Sequence, residues 1–93
     1  MNLRYTSRAV NDIDIAFSWY EKQRRGLGFD FLDCLEASVK GILVFPEMYE
    51  RCHDNFRRCL IRKFPFALFY SIEENQIVVH AVLANRQNPA LKP

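Results

Sequence analysis

The carboxyl-terminal half of the chain concentrates the side chains that suit binding or cleavage of an anionic substrate. Residues 51–93 carry seven basic and three acidic side chains, a net charge of +4, whereas residues 1–50 carry six basic and eight acidic ones, a net charge of −2. A basic patch suits nucleic acid or an acidic peptide. A solvated basic edge that keeps the sheet from pairing with other chains gives the same pattern. The residues expected in the patch are Arg51, Arg57, Arg58, Arg62, Lys63 and Arg86.

Cleavage of RNA without a metal needs a group that activates the ribose 2′-hydroxyl, a cation for the charged phosphorane and an acid for the leaving oxygen. The candidate cations are Arg57, Arg62 and Arg86, but arginine rarely gives up a proton. The phenol of Tyr70 is the candidate acid. A strand tyrosine between Leu68 and Ile72, however, is more often a core aromatic with a hydrogen-bonded hydroxyl.

The two histidines are weaker candidates for acid or base. His80 lies in an apolar strand, where an isolated histidine is more often a satisfied core residue than a catalytic one. His53 belongs to a polar connection with Asp54 and Asn55 and is predicted to be a surface loop residue. The sequence contains no Gly-rich phosphate loop, no HExxH motif and no paired Cys/His set, so it predicts neither a metal nor a cofactor.

The cysteines and the hydropathy pattern predict a cytoplasmic protein. Cys34, Cys52 and Cys59 match no zinc or redox spacing and are expected to be reduced thiols, with Cys34 and Cys59 partly buried. No apolar run approaches the roughly 20 residues needed to cross a bilayer, and the amino terminus lacks a secretion-signal pattern. The expected protein is soluble and does not engage a membrane.

The region 56–89 predicts three consecutive antiparallel strands that position the basic residues. Alternation of apolar residues defines the strands, and Glu74-Asn75 is the expected two-residue turn between the last two, because Asn accepts a positive φ. The faces predicted to be shared are Phe66, Leu68, Tyr70 and Ile72 on one strand and Ile77, Val79, Ala81 and Leu83 on the next.

The amino-terminal half predicts a strand from Asn2 to Thr6 and a helix capped by Ser7 that runs to about Arg25. The apolar stripe of this helix is expected to be Val10, Ile13, Phe17 and Tyr20, with Asp12 and Asp14 facing elsewhere.

A second helix follows the break at Gly26-Leu27-Gly28, carries Asp30 in its first turn and stops at Pro46. Its predicted stripe is Leu32, Leu35, Val39 and Ile42. Because the connection is so short, the helices should form an antiparallel hairpin that covers one face of the sheet. The predicted fold is one α+β domain over residues 1–93, with the order β-α-α-β-β-β and an antiparallel sheet.

This order and several short motifs resemble the RelE/ParE family of bacterial toxins over essentially the whole chain. No single motif is decisive, but their order and spacing are specific. The matching residues are Trp19-Tyr20, Gly26 to Phe29, Phe45-Pro46, Arg57-Arg58, Phe64-Pro65-Phe66, Tyr70, Glu74-Asn75, and Asn85-Arg86-Gln87 before Pro89.

The resemblance implies the toxin of a type II toxin–antitoxin (plasmid stabilisation) pair, held inactive by a cognate antitoxin. RelE-like members cut messenger RNA on the ribosome, whereas ParE-like members inhibit DNA gyrase. Many family members carry a histidine where this chain has Ala84, and no tail tyrosine follows Arg86. This departure favours the ParE-like branch, in which Arg57, Arg58 and Arg86 bind a partner carboxylate or pin the tail.

Two alternatives remain open from the sequence: a RelE-like ribosome-dependent mRNA endonuclease, and a non-toxic relative that only binds antitoxin. Whether the chain is an enzyme is likewise open. The implied partners are the antitoxin and either gyrase or the ribosome with its mRNA. A homodimer, or a heterotetramer with the antitoxin, is the implied assembly.

Overall fold

The computed structural model of the chain describes residues 1–85 and confirms the predicted α+β order of a strand, two helices and then antiparallel strands. The sheet has five strands in the order β1-β5-β4-β3-β2. The elements are β1 (Asn2–Tyr5), α1 (Ser7–Gln23), α2 (Leu27–Val44), β2 (Glu50–His53), β3 (Phe56–Leu60), β4 (Phe66–Glu73) and β5 (Gln76–Ala84). Within these residues, neither helix is long and apolar enough to cross a membrane.

The segment before Phe56 forms a strand that the predicted order β-α-α-β-β-β lacks. Glu50 pairs with Arg58 and Arg51 with Arg57, which adds β2 to the edge of the sheet. His53 ends this strand, so its prediction as a loop residue was wrong, although its side chain is 77% exposed. All four residues of β2 are exposed, so the strand buries no face. Its sequence therefore lacks the alternation of apolar residues by which the other strands were predicted.

At the other edge of the sheet, β1 runs parallel to β5 and departs from the predicted antiparallel arrangement. β1 ends opposite Val79, and Thr6 and α1 supply hydrogen-bond partners to the next part of β5. The Thr6 hydroxyl donates to the His80 carbonyl at 3.1 Å, and Val82 N donates to Asp12 Oδ2 at 3.0 Å. The prediction that Asp12 faces away was wrong, because the edge of β5 needs an acceptor there.

The buried face of α1 is built from small residues and differs from the predicted stripe. Ala9, Ala16 and Tyr20 are buried, and Ile13 packs against them, whereas Val10 is 47% exposed. The alanines allow the helix to approach β5 closely. Thr6 caps the helix in place of the predicted Ser7, since its side chain accepts from Ala9 N at 3.1 Å, and the helix ends at Gln23 instead of about Arg25.

The turn between the helices depends on one carboxylate and two glycines. Glu21 Oε1 accepts from Gly26 N at 2.9 Å and from Gly28 N at 2.8 Å, which satisfies free N–H groups at the start of α2. Gly26 has φ 91°, and a Cβ on Gly28 would lie 2.8 Å from the Phe17 carbonyl oxygen. Asp30 lies in the first turn of α2, as predicted.

A β-bulge at His80 changes which residues of β5 face the helices. Tyr70 pairs with Val79 and Phe69 with Ala81, so His80 has no partner on β4 and the alternation shifts by one. The prediction that Ala81 and Leu83 share a face with Ile77 and Val79 was therefore wrong. The hairpin turn at Glu74-Asn75 is confirmed, with φ of 47° and 66°.

The hydrophobic core lies between the helical hairpin and one face of the sheet, as predicted. Its large members from the helices are Tyr20, Phe31, Leu35 and Ile42. The sheet contributes Cys59, Leu68, Tyr70, Ile77, Val79 and Val82. We call this side of the sheet the helix-covered face and the opposite side the open face.

Candidate functional site

Arg57 and Arg58 are neighbours in β3 and therefore lie on opposite faces of the sheet. Arg57 pairs with Tyr70, on the helix-covered face, and Arg58 pairs with Phe69, on the open face. The structure thus separates these two members of the predicted basic patch.

Arg57 anchors the connection between α2 and β2, residues 45–49. Its Nη1 donates to the carbonyl oxygens of Glu47 at 3.0 Å and of Tyr49 at 2.8 Å. Hydrogen bonds from a charged donor are among the stronger ones in proteins. The guanidinium is therefore committed to backbone acceptors in the free chain.

Tyr70 is a core aromatic with a hydrogen-bonded hydroxyl, as the sequence pattern indicated. The residue is fully buried, and its hydroxyl donates to the Pro46 carbonyl oxygen at 2.6 Å. Burial raises the pKa of Tyr70 to about 12, against a smaller lowering by the nearby Arg57 charge. A buried phenol with this pKa holds its proton and is a poor general acid.

Cys59 and Tyr49 lie beside Tyr70 on the same face. Burial is the main cause that raises the pKa of the Cys59 thiol, so the group stays protonated at neutral pH. Cys34, Cys52 and Cys59 are all free thiols. Cys59 is buried and Cys34 partly buried, in line with the sequence prediction.

Arg62 and Lys63 lie in the connection between β3 and β4, and both are exposed. Lys63 lines a shallow pocket with Asp30 and Asp33 of α2. Arg86 lies outside the described residues. The structure therefore places Arg57, Arg58 and Lys63 in three different surroundings. Arg51 is the cross-strand partner of Arg57, and it also lines a cleft that contains Arg58.

A cleft of about 560 Å³ occupies the open face, and sequence reasoning did not predict it as a site. Phe56, Phe69, His80 and Ala81 form its floor, while Arg8, Glu50, Arg51 and Arg58 are the charged residues around it. We call it the open-face cleft. The cleft depends on the bulge in β5, which puts Ala81 on the open face, and on the start of α1, which brings Arg8 to the same cleft as Arg58.

The charged residues of the open-face cleft include two arginines held by carboxylates of the same chain. Arg58 Nη2 lies 2.8 Å from Glu50 Oε1, with 64% of the Glu50 side chain exposed. Arg8 Nε lies 3.6 Å from Asp12 Oδ2. Arg51 has no acidic partner among residues 1–85. The cleft therefore combines an aromatic floor with two cations, Arg8 and Arg58, that already contact carboxylate oxygens.

His80 is oriented by a short chain of hydrogen bonds. Its Nε2 lies 2.8 Å from Ser71 Oγ, and this hydroxyl donates to Glu73 Oε2 at 2.7 Å. Since the single proton of Ser71 is used on Glu73, His80 Nε2 must be the donor. The Phe56 ring packs edge-on against the imidazole at 4.9 Å. His80 is hydrogen-bonded as predicted, but 29% of its side chain is exposed, so it is not a core residue.

Comparison with known proteins places the chain in a class of bacterial toxins. A family model described as the ParE toxin of the type II toxin–antitoxin system parDE matches residues 3–89. The chain therefore belongs to the ParE toxin family, as the resemblance had predicted.

The fold is similar to that of a chain from the chromosomal ParDE toxin–antitoxin system of P. aeruginosa. The TM-score is 0.78 at 15% sequence identity, over 88% of this chain and 92% of that one. None of the curated proteins matches this chain.

Proposed function

We propose that this chain is a toxin that inhibits bacterial growth by binding DNA gyrase and is neutralised in the cytoplasm by a cognate antitoxin. Membership of the ParE toxin family supports the toxin role. The observation that carries the choice of mechanism is the commitment of Tyr70 and Arg57 to backbone carbonyls. Two of the candidates for RNA cleavage are thus engaged in holding residues 45–49, which favours a toxin that acts by surface recognition.

A second candidate function is ribosome-dependent cleavage of mRNA, and one feature favours it. The open-face cleft brings together an oriented imidazole, His80, and a cation, Arg58. An imidazole can serve as an acid or base near neutral pH, and an arginine can stabilise a phosphorane.

The two functions are separated by inducing the chain without antitoxin and following thymidine and amino-acid incorporation separately in the first minutes. Early loss of thymidine incorporation, with protein synthesis continuing, supports gyrase. Early loss of amino-acid incorporation supports the ribosome. Continued growth with both signals intact contradicts both functions and leaves a relative that only binds antitoxin.

A matched variant strengthens this test. His80→Gln keeps a side chain that can donate a hydrogen bond to Ser71 but removes the imidazole. Under the gyrase proposal this variant inhibits growth like the parent chain, and the purified protein inhibits supercoiling of relaxed plasmid by gyrase. Loss of toxicity in a folded His80→Gln chain would argue for the endonuclease.

Apolar residues on the surface support the proposed antitoxin. Trp19 is 57% exposed, Phe29 58%, Phe45 60% and Met48 64%. A partner that is partly disordered when free can wrap such separated apolar sites. Co-expression with the product of the adjacent small open reading frame should give a complex, and mass measurement will identify a heterotetramer or a smaller assembly. A chain that purifies alone from such cells contradicts this part of the proposal.

A further inference from the structure

We infer that the open-face cleft, together with the free edge of β2, is the docking site for an extended acidic segment of the antitoxin. In this arrangement the segment adds a strand beside β2 and places a carboxylate on Arg58, in place of Glu50. The inference rests on the proposed function only for the identity of the partner. The chemistry of the site is argued from the chain itself.

The first observation is the state of β2. It is an edge strand of the sheet, and its four residues are all exposed. An edge strand presents unpaired backbone N–H and C=O groups, which an extended peptide can pair by strand addition. A nucleic acid has no matching backbone, so this edge favours a protein segment.

The second observation is the contact between Arg58 and Glu50. The guanidinium is mostly buried, with 20% of its side chain exposed, while the Glu50 side chain is 64% exposed. An exposed carboxylate thus contacts a mostly buried cation. Exposed ion pairs of this kind contribute little stability, so an incoming carboxylate can replace Glu50 at small cost.

The third observation is the composition of the cleft. Phe56 and Phe69 are half-buried and offer contact to an apolar side chain, and Arg8 adds positive charge beside them. In an extended segment, alternate residues point to the same side. A segment that alternates acidic and apolar residues therefore complements both the edge and the cleft.

The test uses the purified full chain and a short fluorescent peptide that alternates Glu with Leu. Control probes are a peptide that alternates Lys with Leu and a single-stranded oligothymidylate with the charge of the acidic peptide. The acidic peptide should bind, and the oligothymidylate should neither bind as tightly nor compete. Amide hydrogen exchange should slow for the N–H groups of β2 that point away from β3.

Three variants make the test specific. Arg58→Gln should weaken peptide binding about tenfold, because a charged hydrogen bond is lost. Arg25→Gln, a matched charge change at an exposed site after α1, should leave binding within about twofold. Glu50→Gln should tighten binding about two- to fivefold, because the competing carboxylate is gone.

Several results would overturn the inference. Absence of peptide binding, equal binding of the oligothymidylate, or equal weakening by Arg25→Gln and Arg58→Gln would each do so. If Arg58→Gln fails to fold by circular dichroism, the sign of the Glu50→Gln effect decides the matter, and weaker binding in that variant rejects the site. None of these readouts involves growth inhibition, so failure here is distinct from failure of the gyrase proposal.

Discussion

Two neighbouring arginines of β3, on opposite faces of the sheet, have different kinds of hydrogen-bond partner. On the helix-covered face, Arg57 and Tyr70 donate to main-chain carbonyls of residues 46–49. On the open face, Arg58 contacts a side-chain carboxylate that is itself mostly exposed. Polar groups fixed to the backbone serve the fold, whereas those that contact exposed side chains can exchange partners. The comparison assigns the polar groups of the helix-covered face to stability and supports the proposal that the open face is used for recognition.

The largest expected difference in the free energy of unfolding is between alanine substitutions of a leucine on each face. Leu68 is fully buried under the helices, so Leu68→Ala should lower the free energy of unfolding by about 2–5 kcal/mol. Leu60 is on the open face and 60% exposed, so Leu60→Ala should change it by no more than about 0.5 kcal/mol. Urea denaturation of both variants measures the contrast. Equal losses would mean that the open face is as covered in solution as the other.

The adjacent arginines provide the next comparison. Arg57→Met should cost about 2 kcal/mol or more of unfolding free energy, because two carbonyl acceptors lose a charged donor. Arg58→Met should cost no more than about 1 kcal/mol, since it removes a partly exposed ion pair. If chemical denaturation finds the two equally destabilised, the assignment of Arg57 as an anchor and Arg58 as a recognition residue is wrong.

The contribution of Tyr70 to stability on the helix-covered face can be measured through its dependence on pH. Tyr70→Phe should cost about 1–2 kcal/mol at neutral pH through loss of the hydrogen bond to Pro46. In the parent chain the pKa of Tyr70 rises from 10.0 unfolded to about 12 folded. Its contribution is therefore complete below pH 10 and is lost as the pH rises through about 12.

The measurement is the free energy of unfolding as a function of alkaline pH. Burial also raises the pKa of Tyr5, Tyr49 and Cys59, so the parent chain should lose stability steeply in this range. Tyr70→Phe should show a shallower slope but not a flat one. An unchanged slope would show that Tyr70 ionises as readily folded as unfolded.

The smallest stability effect is expected at Glu50. Glu50→Gln removes one partner of an exposed ion pair and should alter the free energy of unfolding by less than about 0.5 kcal/mol. The same variant is expected to bind the acidic peptide more tightly. A large loss of stability instead would make the contact with Arg58 structural and would remove the contrast between the faces.

Local patterns predicted much of the fold because they depend on nearby residues. The two helices, the Glu74-Asn75 turn and the β3 to β5 strands follow from apolar spacing, glycines and prolines. The buried stripe of α2 was also largely correct, since Leu35 and Ile42 are in the core. For α1 the predicted buried stripe was partly wrong, because Ala9 and Ala16 are buried and Val10 is exposed.

The candidate site was harder to predict because its parts meet only through long-range pairing. Arg8 comes from α1, Arg51 from β2, Arg58 from β3 and His80 from β5. The bulge at His80, which puts Ala81 on the open face, depends on the register between β4 and β5, and no residue type predicts it. Sequence reasoning therefore named Arg51 and Arg58 but placed them in a larger patch, and took His80 for a core residue.

The amino-acid sequence by itself determined the α+β class, every element except β2, and the ParE toxin family, since periodicity, turn residues and short motifs are properties of the chain. Only the tertiary structure decided which face each side chain occupies. The reason is physical: one extra residue in a strand reverses every later side chain. Strand register and helix docking, set by contacts between distant residues, put Arg57 under the helices and put Arg58 and His80 in one cleft.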